Sequence, residues 1–225
     1  FVSQMAALRS GELDGANVTM PHKALAFSTC DVHSSDAIRA GAANTLAMVH
    51  GELVGENTDI VGIRSAWGYA DLPDDAPVNL VGSGGAAAAA LVALDGRDIR
   101  VSARRSEAVV DMVGRTGVEA TPVPWGDDMG PGVLVNATPI GMRGDALPEY
   151  LLKSALGLFD MAYGDEPTPA VTELRARGAA VAAGLDMLIG QAVASFRFWT
   201  GIEVDPAVMR TAAERELLKR RGHTS

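Results

Sequence analysis

The chain has 225 residues, 48% hydrophobic and 21% charged, with a formal net charge of −9. That balance suits one large or two small globular domains, and the acidic surplus excludes a broadly basic nucleic-acid face without excluding a local basic pocket. No stretch reaches the roughly 18 uncharged apolar residues of a membrane span, and a single cysteine, Cys30, forbids an intrachain disulfide and points to a cytoplasmic home.

Phe1 stands where a helix is already under way, with Val2, Met5, Ala6 and Leu8 as its apolar positions and Gly11 as its stop. An earlier segment is therefore expected before it. Residues 15–19, GANVT, read as a short strand, and Pro21 fits a first helical position, predicting a helix over 22–28. Cys30 has no base nearby and reads as a packing residue. Strands at 44–49 and 52–55 join through His50 and Gly51, and a helix starts at Thr58 or Asp59 and runs to Trp67. Polar groups gather at element ends: Asn17, Thr19 and Lys23; Asn44 and Thr45; Asn57, Thr58 and Asp59. Clusters repeated on one small unit predict a pocket.

The acidic, proline-containing segment 71–77 is a solvated connector. Beyond it, expected strands at 79–82, 98–103, 118–123, 133–136, 158–161 and 180–183 alternate with helices near 85–94, 107–115, 148–155 and 169–177. Such alternation implies a parallel sheet with helices on both faces. After Gly184, the residues Leu185, Leu188, Ile189, Ala192, Phe196 and Trp199 recur at helical spacing, predicting one core face on a long helix that Gly201 ends. Asp205 and Pro206 then open a last helix to about residue 221.

The segment 77–94, PVNLVGSGGAAAAALVAL, organises the second region. An apolar run meets Gly82-Ser83-Gly84-Gly85-Ala86, and a helix follows. Gly82 permits the sharp turn, Gly84 a close backbone approach, and Ala87 the tight packing of helix on strand. The free N–H groups of the helix start then face an anion, most simply a dinucleotide pyrophosphate. In an NAD site an acidic residue about 20 positions past the first glycine holds the ribose. Ser102 stands there, followed by Ala103, Arg104 and Arg105. Paired guanidiniums suit a 2′-phosphate, so the cofactor expected is NADP(H). Asn136 and Thr138, at another strand end, are further cofactor-edge candidates.

GANVTMPHK, GAANTL, GENTDIVGI, VGSGGAAAA, NATPIGM, DMAYGDEPTP and GLDMLIGQA occur in the order and approximate spacing of the shikimate dehydrogenases, which the whole chain resembles. The resemblance implies an α/β fold: a Rossmann-type doubly wound parallel NADP domain (60–184) beside a smaller α/β substrate domain (1–59), with C-terminal helices (185–225) returning to the latter. It implies reversible NADPH-dependent reduction of 3-dehydroshikimate to shikimate, in aromatic amino-acid biosynthesis, by a monomer or homodimer, with no metal. Matching positions make Lys23 and Asp59 the catalytic pair. They make Asn17, Thr19, Asn44, Tyr163 and Gln191 substrate contacts, and place Met161 and Gly184 near the nicotinamide. Two departures stand out. The family's first strand and serine-rich loop would precede Phe1, and Ala103 replaces the usual Asn before the first clamp arginine. A quinate/shikimate dehydrogenase using NAD or NADP, and a non-catalytic NADP-binding regulatory paralogue, are the alternatives.

Overall fold

The computed structural model describes residues 1–164 and 166–222, and its strands form two sheets. The first part runs α1 (Val2–Arg9), β1 (Gly15–Asn17), α2 (Lys23–Thr29), β2 (Val32–His33), α3 (Ser35–Ala40), β3 (Thr45–Val49), β4 (Glu52–Glu56) and α4 (Thr58–Tyr69). Its strands are ordered β1-β3-β4-β2, antiparallel except for the β2–β4 pair. His50 and Gly51 close the β3–β4 hairpin with φ of 50° and 86°, the left-handed pair that a two-residue turn between twisted strands requires.

β2 and α3 have no counterpart in the sequence reading. A two-residue strand carries no periodicity, and α3 is announced only by its ends. Ser34 Oγ accepts from the Ala37 N–H at 3.1 Å, and Gly41 closes the helix at φ 60°. Pro21 also differs from expectation. It lies in the turn before α2, after a cis Met20–Pro21 peptide, and Lys23 is the first helical residue.

The second part runs β5 (Val78–Val81), α5 (Gly85–Ala93), β6 (Ile99–Ser102), α6 (Ser106–Thr116), β7 (Thr121–Val123), β8 (Gly132–Asn136), α7 (Glu149–Lys153), β9 (Ala155–Asp160), α8 (Pro169–Ala176) and β10 (Ala180–Ala183). All its strands are parallel, in the order β10-β9-β8-β5-β6-β7. This is the doubly wound dinucleotide-binding order, with its reversal point at β5, where ligands settle beyond the strand ends. β5 and β8 are buried along their whole length: Val78, Leu80, Val133 and Val135 pack on one face of the sheet, and Val81 and Leu134 on the other. Each such aliphatic side chain contributes about 1.5–3 kcal/mol. The largest boundary shifts are at β7, which begins at Thr121 rather than Val118, and at β9. Ala155 joins β9 rather than a helix, and Met161 falls just past its end.

Helix α9 (Gly184–Thr200) leaves β10 and packs along α4, and α10 (Pro206–Gly222) packs on α9. The buried stripe of α9 is not the expected one. It consists of Gly184, Met187, Ile189, Gly190 and Ser195, while Trp199 is 39% exposed. The reason lies in the partner helix: a Cβ on Gly62 of α4 would fall 2.7 Å from the Met187 carbonyl, and one on Gly190 would fall 3.0 Å from the Gly62 Cα. Backbones this close exclude large side chains from the seam. Trp199 instead reaches sideways, and its Nε1 donates to the Leu46 carbonyl of β3 at 3.0 Å.

Candidate active site

Lys23 opens α2 and Asp59 lies in the first turn of α4. Separate strands deliver the two helix starts to one place, and Lys23 Nζ donates to Asp59 Oδ2 at 2.6 Å. The carboxylate is buried, with 1% of its side chain exposed, against 19% for the lysine. Its other oxygen accepts from Asn44 Nδ2 at 2.9 Å, and Asn44 Oδ1 accepts from the Thr58 N–H at 2.7 Å. The Asp59 carboxylate is therefore fixed by a side chain from β3's approach and by its position near a helix N-terminus, where negative charge is favoured. The ammonium is the exposed member, and it faces a cleft.

Beside this pair lies a buried knot of hydroxyls. Ser195 Oγ shares hydrogen bonds with Thr45 Oγ1 (2.9 Å) and Thr58 Oγ1 (3.2 Å), and it accepts from Asn17 Nδ2 at 3.1 Å. Asn17 thus spends its amide N–H groups on protein, and among the described residues its carbonyl oxygen has no hydrogen-bond partner. Ser195 was not expected from sequence, because a lone hydroxyl on an apolar helix carries no spacing signal. Thr58 and Thr45 were visible only as members of polar clusters.

The cleft has two contiguous parts. A cavity of about 430 Å³ is lined by Asn17, Thr19, Lys23, Asn44, Asp59, Met161, Tyr163, Gly184 and Gln191. A cavity of about 630 Å³ is lined by Gly82, Ser83, Gly84, Gly85, Ala86, Arg104 and Arg105. Lys23, Ala86 and Thr138 border both parts. The sequence-selected residues therefore converge, with one exception. Asn136 is fully buried and lines neither part. Its Nδ2 donates to Ile140 O (3.0 Å) and Asp160 Oδ1 (2.8 Å), and its Oδ1 accepts from the N–H and hydroxyl of Thr138. With its amide committed in this way, Asn136 shapes the turn under Thr138, and it is Thr138 that reaches the cleft.

Asp160 is the hub of that turn. It accepts from Asn136, from the Ala162 N–H (3.0 Å) and from the Thr168 hydroxyl that caps α8. Burial pushes its carboxyl above the usual carboxylate range, and the three hydrogen bonds pull back. Gly184 has a similar supporting part. A Cβ there would meet the Tyr163 Cβ at 2.7 Å, so only glycine lets α9 start against the 161–163 segment. Cys30 is buried, its thiol pushed up to about 11, chiefly by desolvation, which suits packing rather than nucleophilic chemistry.

The wider part of the cleft fits a dinucleotide. Gly84 is the N-cap of α5 without a side-chain cap, and a Cβ on it would project into open space. The first N–H groups of α5 are left for a ligand. Gly82, at φ 132° and with its would-be Cβ 2.9 Å from the Ala137 carbonyl, fixes the turn beneath them. Ser102 ends β6 buried, its hydroxyl toward Pro124 O, so no acid awaits a 2′-hydroxyl. Arg104 and Arg105 follow it at the rim.

A sheet of this order, with a lysine–aspartate ion pair facing its glycine turn, is the architecture of a dehydrogenase that uses a nicotinamide dinucleotide. Comparison with known proteins narrows the class. The profile described as shikimate dehydrogenase substrate binding domain matches residues 1–46, and that described as shikimate 5'-dehydrogenase C-terminal domain matches residues 184–214. The shikimate dehydrogenase (NADP(+)) of Gluconobacter oxydans is 37% identical over 225 residues, covering 94% of this chain and 78% of its own. That of Archaeoglobus fulgidus is 36% identical, covering 90% and 78%. The shikimate 5-dehydrogenase of Thermus thermophilus, solved in complex with NADP(H) and shikimate, superposes with a TM-score of 0.84 at 32% identity, over 95% of this chain and 82% of that one. The chain belongs to the shikimate dehydrogenase family.

Proposed function

We propose that this cleft interconverts shikimate and 3-dehydroshikimate with NADP(H), and that Lys23 and Asp59 are its acid–base pair. The observation that carries the assignment is the 2.6 Å contact between them, facing the glycine turn across the cleft. NADP(H), when bound over the strand ends, supplies or takes up the hydride. Lys23 answers the accompanying change at the substrate oxygen. Its N–H donates a proton to the oxygen of a ketone undergoing reduction, and its nitrogen takes up the hydroxyl proton in the reverse direction. Asp59 fixes where that nitrogen points.

Hydroxyl-reading groups surround the pair. The Asn17 carbonyl oxygen, the Thr19 hydroxyl, Tyr163 and Gln191 line the same part of the cleft as Lys23 and suit a polyhydroxylated ring, the kind of substrate such sites discriminate strongly. Met20, Pro139 and Met161 supply apolar wall between them. We take residues 1–59 as the substrate side, 60–184 as the dinucleotide side and 185–225 as helices returning to the first. The Ser195 and Trp199 bonds to β1 and β3 support that division. A cytoplasmic site of action rests on the single cysteine; among the described residues no helix is long and apolar enough to cross a membrane.

The direct test is a cofactor-absorbance assay with shikimate or quinate and NADP or NAD. The expected outcome is shikimate-dependent NADPH formation well above the other three combinations. Equal or faster turnover of quinate, or of NAD, would replace the specificity stated here.

A further inference from the structure

The wider part of the cleft is charged out of proportion to the chain. Its lining contains Lys23, Arg104, Arg105 and Arg115 and no Asp or Glu, in a protein of formal net charge −9. Lys23 is held by Asp59. Among the described residues the other three guanidiniums have no hydrogen-bond or ion-pair partner; the exposed Arg143, Arg175 and Arg215 share that, but none of them lines the cleft. Free guanidiniums lining one cavity of an acidic protein are arranged for an anion that arrives from outside.

Arg115 differs from the other two in its origin. Arg104 and Arg105 precede α6, whereas Arg115 lies in the last turn of that helix. Helical side chains lean toward the N-terminus, so Arg115 reaches back toward the end where its companions stand. Gly41 sets its path: a Cβ there would fall 3.1 Å from Arg115 Nε and 3.2 Å from its Cδ. The bare cap of α3 is thus the surface along which the arginine stem runs. Asp111, one turn earlier on α6, is the ordinary i, i+4 partner, yet the two form no ion pair. Arg105 is extended, at φ −112° and ψ 100°, and neighbouring side chains on extended backbone diverge. Two adjacent arginines alone therefore close poorly around one phosphate.

We propose that Arg115 is a third guanidinium for the 2′-phosphate of NADP(H), and so a determinant of its selection over NAD(H). The proposal rests on the reading of this cleft as the dinucleotide site. A phosphomonoester offers three acceptor oxygens and close to two negative charges, more than one planar fork satisfies.

Calorimetric titration of the whole chain with adenosine 2′,5′-bisphosphate and with ADP tests it. Arg115→Gln is expected to weaken the bisphosphate about tenfold, the scale of one charge-assisted hydrogen bond, and ADP less than about twofold. The KM for NADP rises in step, while that for NAD does not. Arg175→Gln, an exposed α8 arginine outside the cleft lining, controls for lost charge and leaves both titrations alone. Unchanged bisphosphate affinity in Arg115→Gln, with a loss in Arg104→Gln, removes Arg115 from the clamp and keeps the site. Unchanged affinity in both variants removes the phosphate reading of the cleft itself. Equal weakening of both probes overturns the specificity role in favour of general attraction.

Discussion

Lys23 and Asp59 are 36 positions apart in the chain and in direct contact in the fold. Lys23→Met keeps the stem's packing and removes the proposed proton carrier, so turnover is expected to fall about 10²–10⁴-fold. Shikimate affinity, measured by equilibrium binding, should change little, because other groups read the ring. Asp59→Asn leaves Lys23 unanchored and should lower turnover by less than the lysine change. Another carboxylate yields a pH prediction. The Arg9 guanidinium, and then the Leu53 N–H, hold the Asp31 carboxyl down to about 2. A value depressed by folding adds stability above the ordinary carboxylate range and loses it as pH falls toward 2. Melting temperature followed from neutral pH downward should therefore fall less steeply below about pH 4 in Asp31→Asn than in the parent. The amplitude is small, since both partners of the pair face solvent.

Helices α4 and α9 meet at Gly62 and Gly190, where side chains are absent by necessity. The α4–α9 seam admits no Cβ at Gly62 without moving the Met187 carbonyl, and Gln191 lies on the same seam. Gly62→Ala is expected to cost about 1–3 kcal/mol, as overpacked contacts do. It should also raise the KM for shikimate by displacing Gln191; thermal melts and steady-state kinetics on the same variant check both. This seam also marks the limit of what the sequence discloses. The strands β5 and β8 were legible because buried parallel strands read as near-continuous aliphatic runs, interrupted here only at Asn79. The glycine turn was legible because its residues are contiguous. The stripe of α9 was misread because hydrophobicity points to the largest side chains, whereas the closest packing is made by the smallest. β2 and α3 are too short for a period. Asn136 shows the reverse error: a polar residue at a strand end looked outward in the sequence, and its neighbours Asp160 and Thr138 turn it inward.

At the scale of the molecule, the glycine turn faces the Lys23–Asp59 pair across one cleft, and α4 runs from that pair along both α5 and α9. A ligand that touches both walls is expected to stabilise the whole. NADP at about a hundred times its dissociation constant should add about 2.7 kcal/mol, seen as a raised melting temperature. NAD at the same concentration should add clearly less. Hydrogen exchange with and without NADP should slow at the 136–140 turn and at the start of α2, the segments facing each other. If only the glycine turn slows, the two walls do not close on one ligand.

The bond between Asn17 and Ser195 spans 178 residues, and it bears on how the protein is made. Every strand of the parallel sheet has left the ribosome before α9 emerges, so the nucleotide half can fold during translation while β1 and β3 still lack their hydroxyl staple. At about 5–20 residues per second the wait is roughly 10–35 s. A nascent chain arrested once Ala183 has cleared the exit tunnel is thus expected to hold nucleotide but not the hydroxylated ring acid.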